Sequence, residues 1–273
     1  MDRYFFLFAF WLLITGLAHA QDTATPTALP PLPGYDQGMD RISVLQQANE
    51  FYKQGQYEDA LQGYLHLTQL GVANGYLFYN IGNTYFRLGQ LGPAILWYER
   101  ARLYLPRSED LKVNYNYARQ QLADDEFQAP AHTGTIGFLI HLHNSFTLRE
   151  TVWQTLAFFW LLILAIIAFL FIPHENWKNW LRIPCWISLV CVTLLFFSLG
   201  IKLYQFTSLH EAIVMAPVVE VRTGPGNDLS VLFSIHEGTK VAVIQQQGAW
   251  QRIVLPGNKT YTGWLPKETI AEI

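Results

Sequence analysis

Two apolar stretches constrain this chain more than anything else in it. Residues 152–172 and 183–201 each run for about 20 residues without a charged side chain, the length that carries an α-helix across a bilayer core. Only residues 173–182 separate them, so the pair reads as a transmembrane hairpin rather than as two core helices of a globular fold. The composition agrees: 51% of residues are hydrophobic and 14% charged, against about 25% charged in soluble domains. Net charge is −3, which leaves no basic field for nucleic acid. Cys185 and Cys191 both lie in the second stretch, about 600° apart around a helix and so on different faces. They read as small packing residues, not a redox pair.

Lys178 and Arg182 lie in the connecting segment, with Trp177, Trp180 and Trp186 where an interfacial aromatic belt would be, while Arg149 and Lys202 flank the opposite ends. The small bias puts 173–182 in the cytoplasm, and 21–151 and 202–273 outside, on the far face of a bacterial inner membrane. The N-terminus points the same way. Residues 1–20 have Arg3, an apolar run and Ala18-His19-Ala20, the form of a secretory signal cleaved before Gln21; an uncleaved anchor helix is the alternative. Residues 21–40, Pro-rich at the start, are expected to be a disordered leader.

Residues 41–122 repeat at an interval of 34. Phe51 falls on Tyr85, Gly55 on Gly89, Ala60 on Ala94 and Tyr64 on Tyr98. The second copy is clearer, with Phe78, Ile81, Gly82, Tyr85, Gly89, Leu91, Ala94, Tyr98, Ala101 and Pro106. Phe78, Ile81 and Tyr85 share one helix face, as do Ala94, Tyr98 and Ala101, while Gly82 and Ala94 let the two helices approach closely. Gly55 and Gly89 suit the left-handed residue that ends a helix, and Ser108 suits an N-cap. Helices are predicted over about 41–54, 57–69, 75–88, 91–104 and 108–122, the last a polar-faced cap. The pattern closely resembles the tetratricopeptide repeat (TPR). That resemblance implies an all-α superhelix whose first helices line a groove for a protein segment. At the matching places stand Gln46, Asn80 and Asn114, then Asn49 with Asn83, and Lys53 with Arg87. Amides offer both donors and acceptors to a peptide backbone. The other reading of these residues is a solvated helix face. A carboxylate clamp is incomplete, since Leu45, Asp110 and Asn114 occupy its positions.

Asp124-Asp125-Glu126 opens a linker, 123–151, read as soft and acidic. Within it, residues 135–149 are mildly amphipathic, with Phe138, Leu142 and Phe146 four apart, and are expected to lie on the outer membrane surface. His141 and His143 diverge on a helix and find no third ligand nearby, so no metal is expected. Beyond residue 206 the pattern changes to short β-type runs around Val219, Val241 and Ile253, separated by turn formers at 224–227, 237–239 and 256–258. About five strands in a closed or partly closed small barrel follow. Val221-Arg222-x-Gly224-Pro225, Glu237-Gly238, Trp250-x-Arg252-Ile253 and Gly263-Trp264-Leu265 resemble a bacterial SH3 (SH3b) domain. Such domains bind cell-wall peptides or neighbouring proteins, or serve as spacers. Trp250, Tyr261 and Trp264 would form an aromatic ligand platform, or else Trp250 and Trp264 belong to the barrel core.

The whole is then a multidomain membrane protein: an all-α TPR superhelix, a two-helix transmembrane hairpin and an all-β SH3-like barrel. This order resembles the BatE family of the aerotolerance (Bat) operons over residues 41–273. The resemblance implies an accessory protein beside von Willebrand A-domain membrane proteins and a periplasmic partner. No HExxH, GxSxG, Walker loop or dinucleotide-binding glycine pattern occurs, so neither catalysis nor a cofactor is expected. The expected function is a scaffold, with a cell-wall sensor binding peptidoglycan peptides through SH3b as the alternative and a spacer without ligand as a third reading.

Overall fold

Side-chain caps start three of the helices in the first part of the chain. The computed structural model describes residue 35 and residues 40–124, 134–172, 175–208, 210–255 and 261–273. The expected signal sequence, nearly all of the leader, Asp125, Glu126, and the 256–258 turn lie outside the described residues. The chain divides into two compact units, Met1–Met39 and Asp40–Ile273, and every element below belongs to the second.

Among the described residues five helices come first: α1 Arg41–Lys53, α2 Tyr57–Gln69, α3 Gly75–Arg87, α4 Leu91–Tyr104 and α5 Glu109–Arg119. Asp40 caps α1 by accepting the Ser43 N–H at 2.7 Å, Asn74 caps α3 through Tyr76 N–H at 2.8 Å, and Ser108 caps α5 through Leu111 N–H at 3.3 Å. The C-terminal ends of α1 and α3 are copies of each other. Gly55 N–H reaches Tyr52 O and Gln56 N–H reaches Phe51 O; 34 residues later Gly89 reaches Phe86 O and Gln90 reaches Tyr85 O. With φ of 79° and 73° at the two glycines, both are Schellman ends. The helices pack as hairpins, α1 on α2 and α3 on α4, with α5 against α4. Ile81, Ala94, Ile95, Tyr98, Ala101, Leu111 and Ala118 are buried in this array. The fifth helix is less polar than a cap should be, since Val113 and Tyr117 stand 62% and 58% exposed.

Next come α6 Gly134–Asn144, α7 Leu148–Phe171 and α8 Glu175–Ser208. The amphipathic segment expected at 135–149 is therefore broken. Thr147 starts a new helix with a capping box, its hydroxyl accepting Glu150 N–H while Glu150 Oε2 accepts Thr147 N–H at 2.9 Å. The expected loop at 173–182 is mostly the first turns of α8, on which Trp177 and Trp180 stand exposed. Helices α7 and α8 lie along each other. Both are long and apolar enough to cross a membrane, over Leu148–Phe171 and Asn179–Gln205, and the most apolar stretch of each is almost wholly uncovered by the rest of the protein. A pair of core helices in a soluble fold would be covered; these are not.

Seven antiparallel strands follow: β1 His210–Val214, β2 Val218–Arg222, β3 Val231–His236, β4 Lys240–Gln247, β5 Trp250–Leu255, β6 Tyr261–Pro266 and β7 Ile270–Glu272, with a 3₁₀ turn at Lys267–Thr269. Their order is β3-β2-β6-β5-β4-β1-β7. The sheet curls around one core of Ala212, Val214, Val219, Val221, Ile235, Val241, Ile253, Leu255 and Leu265, to which β1 through β6 all contribute. The strand count corrects the expectation of about five, and the curled, unclosed sheet is the partly closed barrel of the two expected forms. The ladder stays open between β3 and β7, and β1 and β7 form an extra pair at one edge through Ala212↔Glu272, Ile213↔Ala271 and Val214↔Ile270.

Strand β1 explains how the sheet is placed. Ala212 and Val214 face the sheet's core, while Ile213, on the other face and fully buried, joins the helical cluster of Ala94, Ile95, Tyr98, Leu111 and Tyr115. Met215, Ala271 and Ile273 pack there too. The sheet thus docks on the helical array through its β1–β7 edge. Segments on either side of the α7–α8 hairpin thus form one body.

Candidate binding surfaces

The amide row expected in the helical array exists, and its members are bonded to one another. Tyr64 donates its hydroxyl to Asn49 Oδ1 at 2.7 Å, and Tyr98 donates to Asn83 Oδ1 at 2.7 Å. Asn80 Nδ2 donates to Asn49 Oδ1 at 3.4 Å, and Asn114 Nδ2 to Asn83 Oδ1 at 3.0 Å. Each bond in one copy recurs 34 residues on. Asn114 Nδ2 also reaches Tyr79 Oη at 2.8 Å. Burial pushes the Tyr98 hydroxyl well above the usual tyrosine range, keeping it a neutral donor to Asn83. Asn49, Asn80, Asn83 and Asn114 are accordingly half-buried rungs between helices, whereas Gln46, Lys53 and Arg87 are exposed. Lys53 lies 3.5 Å from Glu50, and Arg87 is hydrogen-bonded to Tyr52. This one face of α1, α3 and α5 carries all seven residues, with the two cations at the C-terminal ends of α1 and α3.

The seam between array and sheet holds polar groups that sequence reasoning missed. Residues 236–240, the β3–β4 turn, enter the array one after another. Asp124 accepts His236 N–H at 2.6 Å, His236 Nδ1–H at 2.8 Å and the Thr239 hydroxyl at 2.7 Å. Glu237 Oε2 accepts Gly92 N–H at 3.2 Å, and Lys240 Nζ lies 3.5 Å from Glu99 and 2.7 Å from Glu211. Arg100 donates to Glu272 O at 2.7 Å. Burial works to raise the Asp124 carboxyl, but Thr239 and the His236 donors outweigh it and hold the group below the usual aspartate range. Glu99 is buried; its desolvation is outweighed by Lys240 and Arg102, with a hydrogen bond from Tyr115, and its carboxyl is also held low. The expected soft acidic linker thus begins with a positioned carboxylate. The signal for it was thin: one Asp just past a helix, with its partners more than 100 residues away.

On the sheet, register decides what the aromatics can do. Trp250 pairs with Pro266 and Arg252 with Trp264, so the two tryptophans are diagonal neighbours on one face of β5–β6. Tyr261 pairs with Leu255 on the alternate face, at the other end of the hairpin, where its ring meets Phe233 edge-on at 5.6 Å. The three do not form one platform. Trp264 is 9% exposed and belongs to the packing, while Trp250 is half-buried and walls an open cleft of about 560 Å³ with Asn227, Ala249, Pro266, Lys267 and Glu268. Its lining offers an indole, an ammonium, a carboxylate and an amide, groups that suit a small polar ligand with both charges.

The histidines are placed as separate groups. His141 is exposed, and His143 Nδ1 lies 2.7 Å from Ser198 Oγ. Among the described residues no three His, Cys, Asp or Glu side chains converge as a metal would require.

Residues 217–271 match the family model of the bacterial SH3 domain. The matched residues take in the sheet from β2 to β7, and β1 lies before them. No curated protein matches the chain.

Proposed function

We propose that this chain is a non-catalytic inner-membrane scaffold with a TPR array and an SH3b domain on the extracytoplasmic side, recruiting other envelope proteins. Repetition of the amide bonding carries the reading. Two copies of a Tyr→Asn←Asn unit, 34 residues apart, support the TPR assignment and fix a row of amides with spare donors and acceptors on one face. The exposed ends of that row, Gln46, Lys53 and Arg87, suit a protein segment with a polar backbone and acidic groups. Resemblance to BatE suggests the partners: von Willebrand A-domain membrane proteins of a Bat-type stress or aerotolerance complex.

The test uses full-length protein in mild detergent. Gln46, Lys53 and Arg87 are replaced together by Ala, Glu and Glu, leaving the buried rungs intact, and co-purifying proteins are identified. Loss of A-domain membrane proteins from the variant's eluate supports the scaffold; an identical partner set sinks the groove.

A second reading is favoured by the Trp250 cleft. An SH3b domain with an indole beside Lys267 and Glu268 would hold a stem peptide of peptidoglycan, which carries both amine and carboxylate groups, and the protein would then sense the cell wall. Reconstituted full-length protein should then sediment with purified cell wall, and Trp250→Ala should release it.

A further inference from the structure

We propose that α6, Gly134–Asn144, is a third membrane-embedded element: a helix lying in the lipid headgroup boundary on the side that holds the array and the SH3b domain. The exposed apolar side chains come first. Ile136, Phe138, Leu139 and Leu142 are 65, 64, 61 and 45% exposed, and no residue of the helix is buried. At 100° per residue these four occupy one half of the helix, while His141 falls on the other half. Such a face needs an apolar cover, and the position of α6 says which.

Its C-terminal end is fastened to the top of the hairpin. Lys202 Nζ, on α8, donates to His143 O and to Phe146 O, both at 2.9 Å, placing a cation on the free carbonyls at the end of α6. His143 Nδ1 meets Ser198 Oγ of the same helix. Ser198 lies about one turn before Ile201, where the uncharged run of α8 ends. That turn amounts to about 5 Å. The end of α6 therefore sits below the rim of the spanning segment, at the depth to which interfacial helices sink their apolar faces. Only Ser145–Thr147 join it to α7, whose uncharged run begins one turn in, at Val152. Continuity with two lipid-facing helices makes lipid the cover.

The same junction holds the array. Arg107 reaches Glu150 Oε1 at 2.5 Å and Ser145 O at 3.2 Å, with its guanidinium over the Phe146 ring at 5.5 Å. A helix sunk in the boundary would thus set the height and tilt at which the array stands on the membrane, a function that a soft tether could not perform.

Leu139 and His141 are about 200° apart on the helix, and this contrast is the test. A nitroxide is attached to Leu139→Cys or His141→Cys in full-length protein, with Cys185→Ala and Cys191→Ala as background, reconstituted in phosphatidylcholine–phosphatidylglycerol vesicles. Collision with oxygen should exceed collision with a water-soluble nickel chelate several-fold at position 139, and the ratio should invert at 141. Equal and high access of the chelate at both positions would mean that α6 stands in water. Shielding of position 139 from both reagents would mean that protein, such as a second copy, covers the face. Either result overturns the proposal. Should Leu139→Cys fail to fold, Leu142→Cys reads the same face.

Discussion

The carboxylate of Asp124 holds the backbone N–H of His236 at 2.6 Å across a sequence separation of 112, a stretch that includes both apolar helices. The same carboxylate takes the His236 ring and the Thr239 hydroxyl. Asp124 occupies the edge of β3 where a further strand's carbonyl would otherwise sit, so it closes one end of that edge and joins the array to the SH3b domain in one step. Removing it leaves an N–H and a hydroxyl without their acceptor. Asp124→Ala should cost about 2–3 kcal/mol, read as a lower midpoint in the thermal unfolding of full-length protein. Thr239→Val, which removes one donor and not the acceptor, should cost less.

The pH dependence of this contact has a definite sign. Asp124 has a folded-state pKa below its unfolded value, so its contribution is complete above the unfolded value, about 3.9, and is lost as pH falls through the lowered folded value. Midpoints of native protein and Asp124→Asn, measured from pH 7 down to pH 3, should lie furthest apart at neutral pH and converge below about pH 4. A gap that stays constant to pH 3 would show that the Asn cost is one of shape, not of charge.

Gly238, between His236 and Thr239, tests the fit at the same seam. Its φ is 81°, and a Cβ there would lie 2.4 Å from Leu122 Cδ2. Gly238→Ala therefore meets two separate costs, left-handed backbone strain of about 1 kcal/mol and an overlap that Leu122 must relieve. Adding Leu122→Ala removes the overlap and not the strain. The double variant should be less unstable than the sum of the two single ones, a coupling of roughly 0.5–1 kcal/mol in a double-mutant cycle.

The amide row makes a prediction that separates architecture from recognition. Asn83 accepts from the buried Tyr98 hydroxyl and from Asn114, so Asn83→Ala should lose about 1–3 kcal/mol of stability. Gln46 is exposed, and Gln46→Ala should stay within about 0.5 kcal/mol of the parent. Chemical denaturation of both variants checks this. Binding defects seen with Asn83 variants alone would then report a distorted array rather than a lost contact.

How much of this was legible in sequence follows from the range of the interactions. The 34-residue period, the glycine ends of α1 and α3, and the Ser108 cap are local or repeated, and the structure has them where periodicity placed them. The two apolar helices needed only composition. The seam was hidden because each half of it reads as ordinary surface: Asp124 as an acidic linker residue, Lys240 as a solvated charge, Glu99 as one polar residue on a helix. Strand β1 was missed for a related reason. Its three consecutive buried residues, Ala212, Ile213 and Val214, are covered on both faces, so the alternation that marks a half-exposed strand is absent. The aromatic site was misjudged through register: Trp250 and Trp264 share a face, and Tyr261 falls on the other one only once β5 and β6 are paired.

Fusion of the two soluble modules has a thermodynamic signature. Ile213 is fully buried among residues of the array, while Ile235 is fully buried in the sheet's own core. Independent modules would unfold in separate steps, with Ile235→Ala lowering only the SH3b step and Ile213→Ala nearly silent. In the docked arrangement each truncation removes a buried side chain from one cooperative body, at about 2–4 kcal/mol apiece. Full-length protein in detergent should therefore show one transition for the soluble body by calorimetry, lowered by both variants. The corollary concerns the isolated domain: residues 210–273 on their own expose Ile213, Met215 and Ile273, the side chains that pack on the array. They should bind a hydrophobic dye and melt below the intact protein. Two resolved transitions, with Ile213→Ala moving neither, would mean that the seam is too weak to couple the modules and that each acts alone.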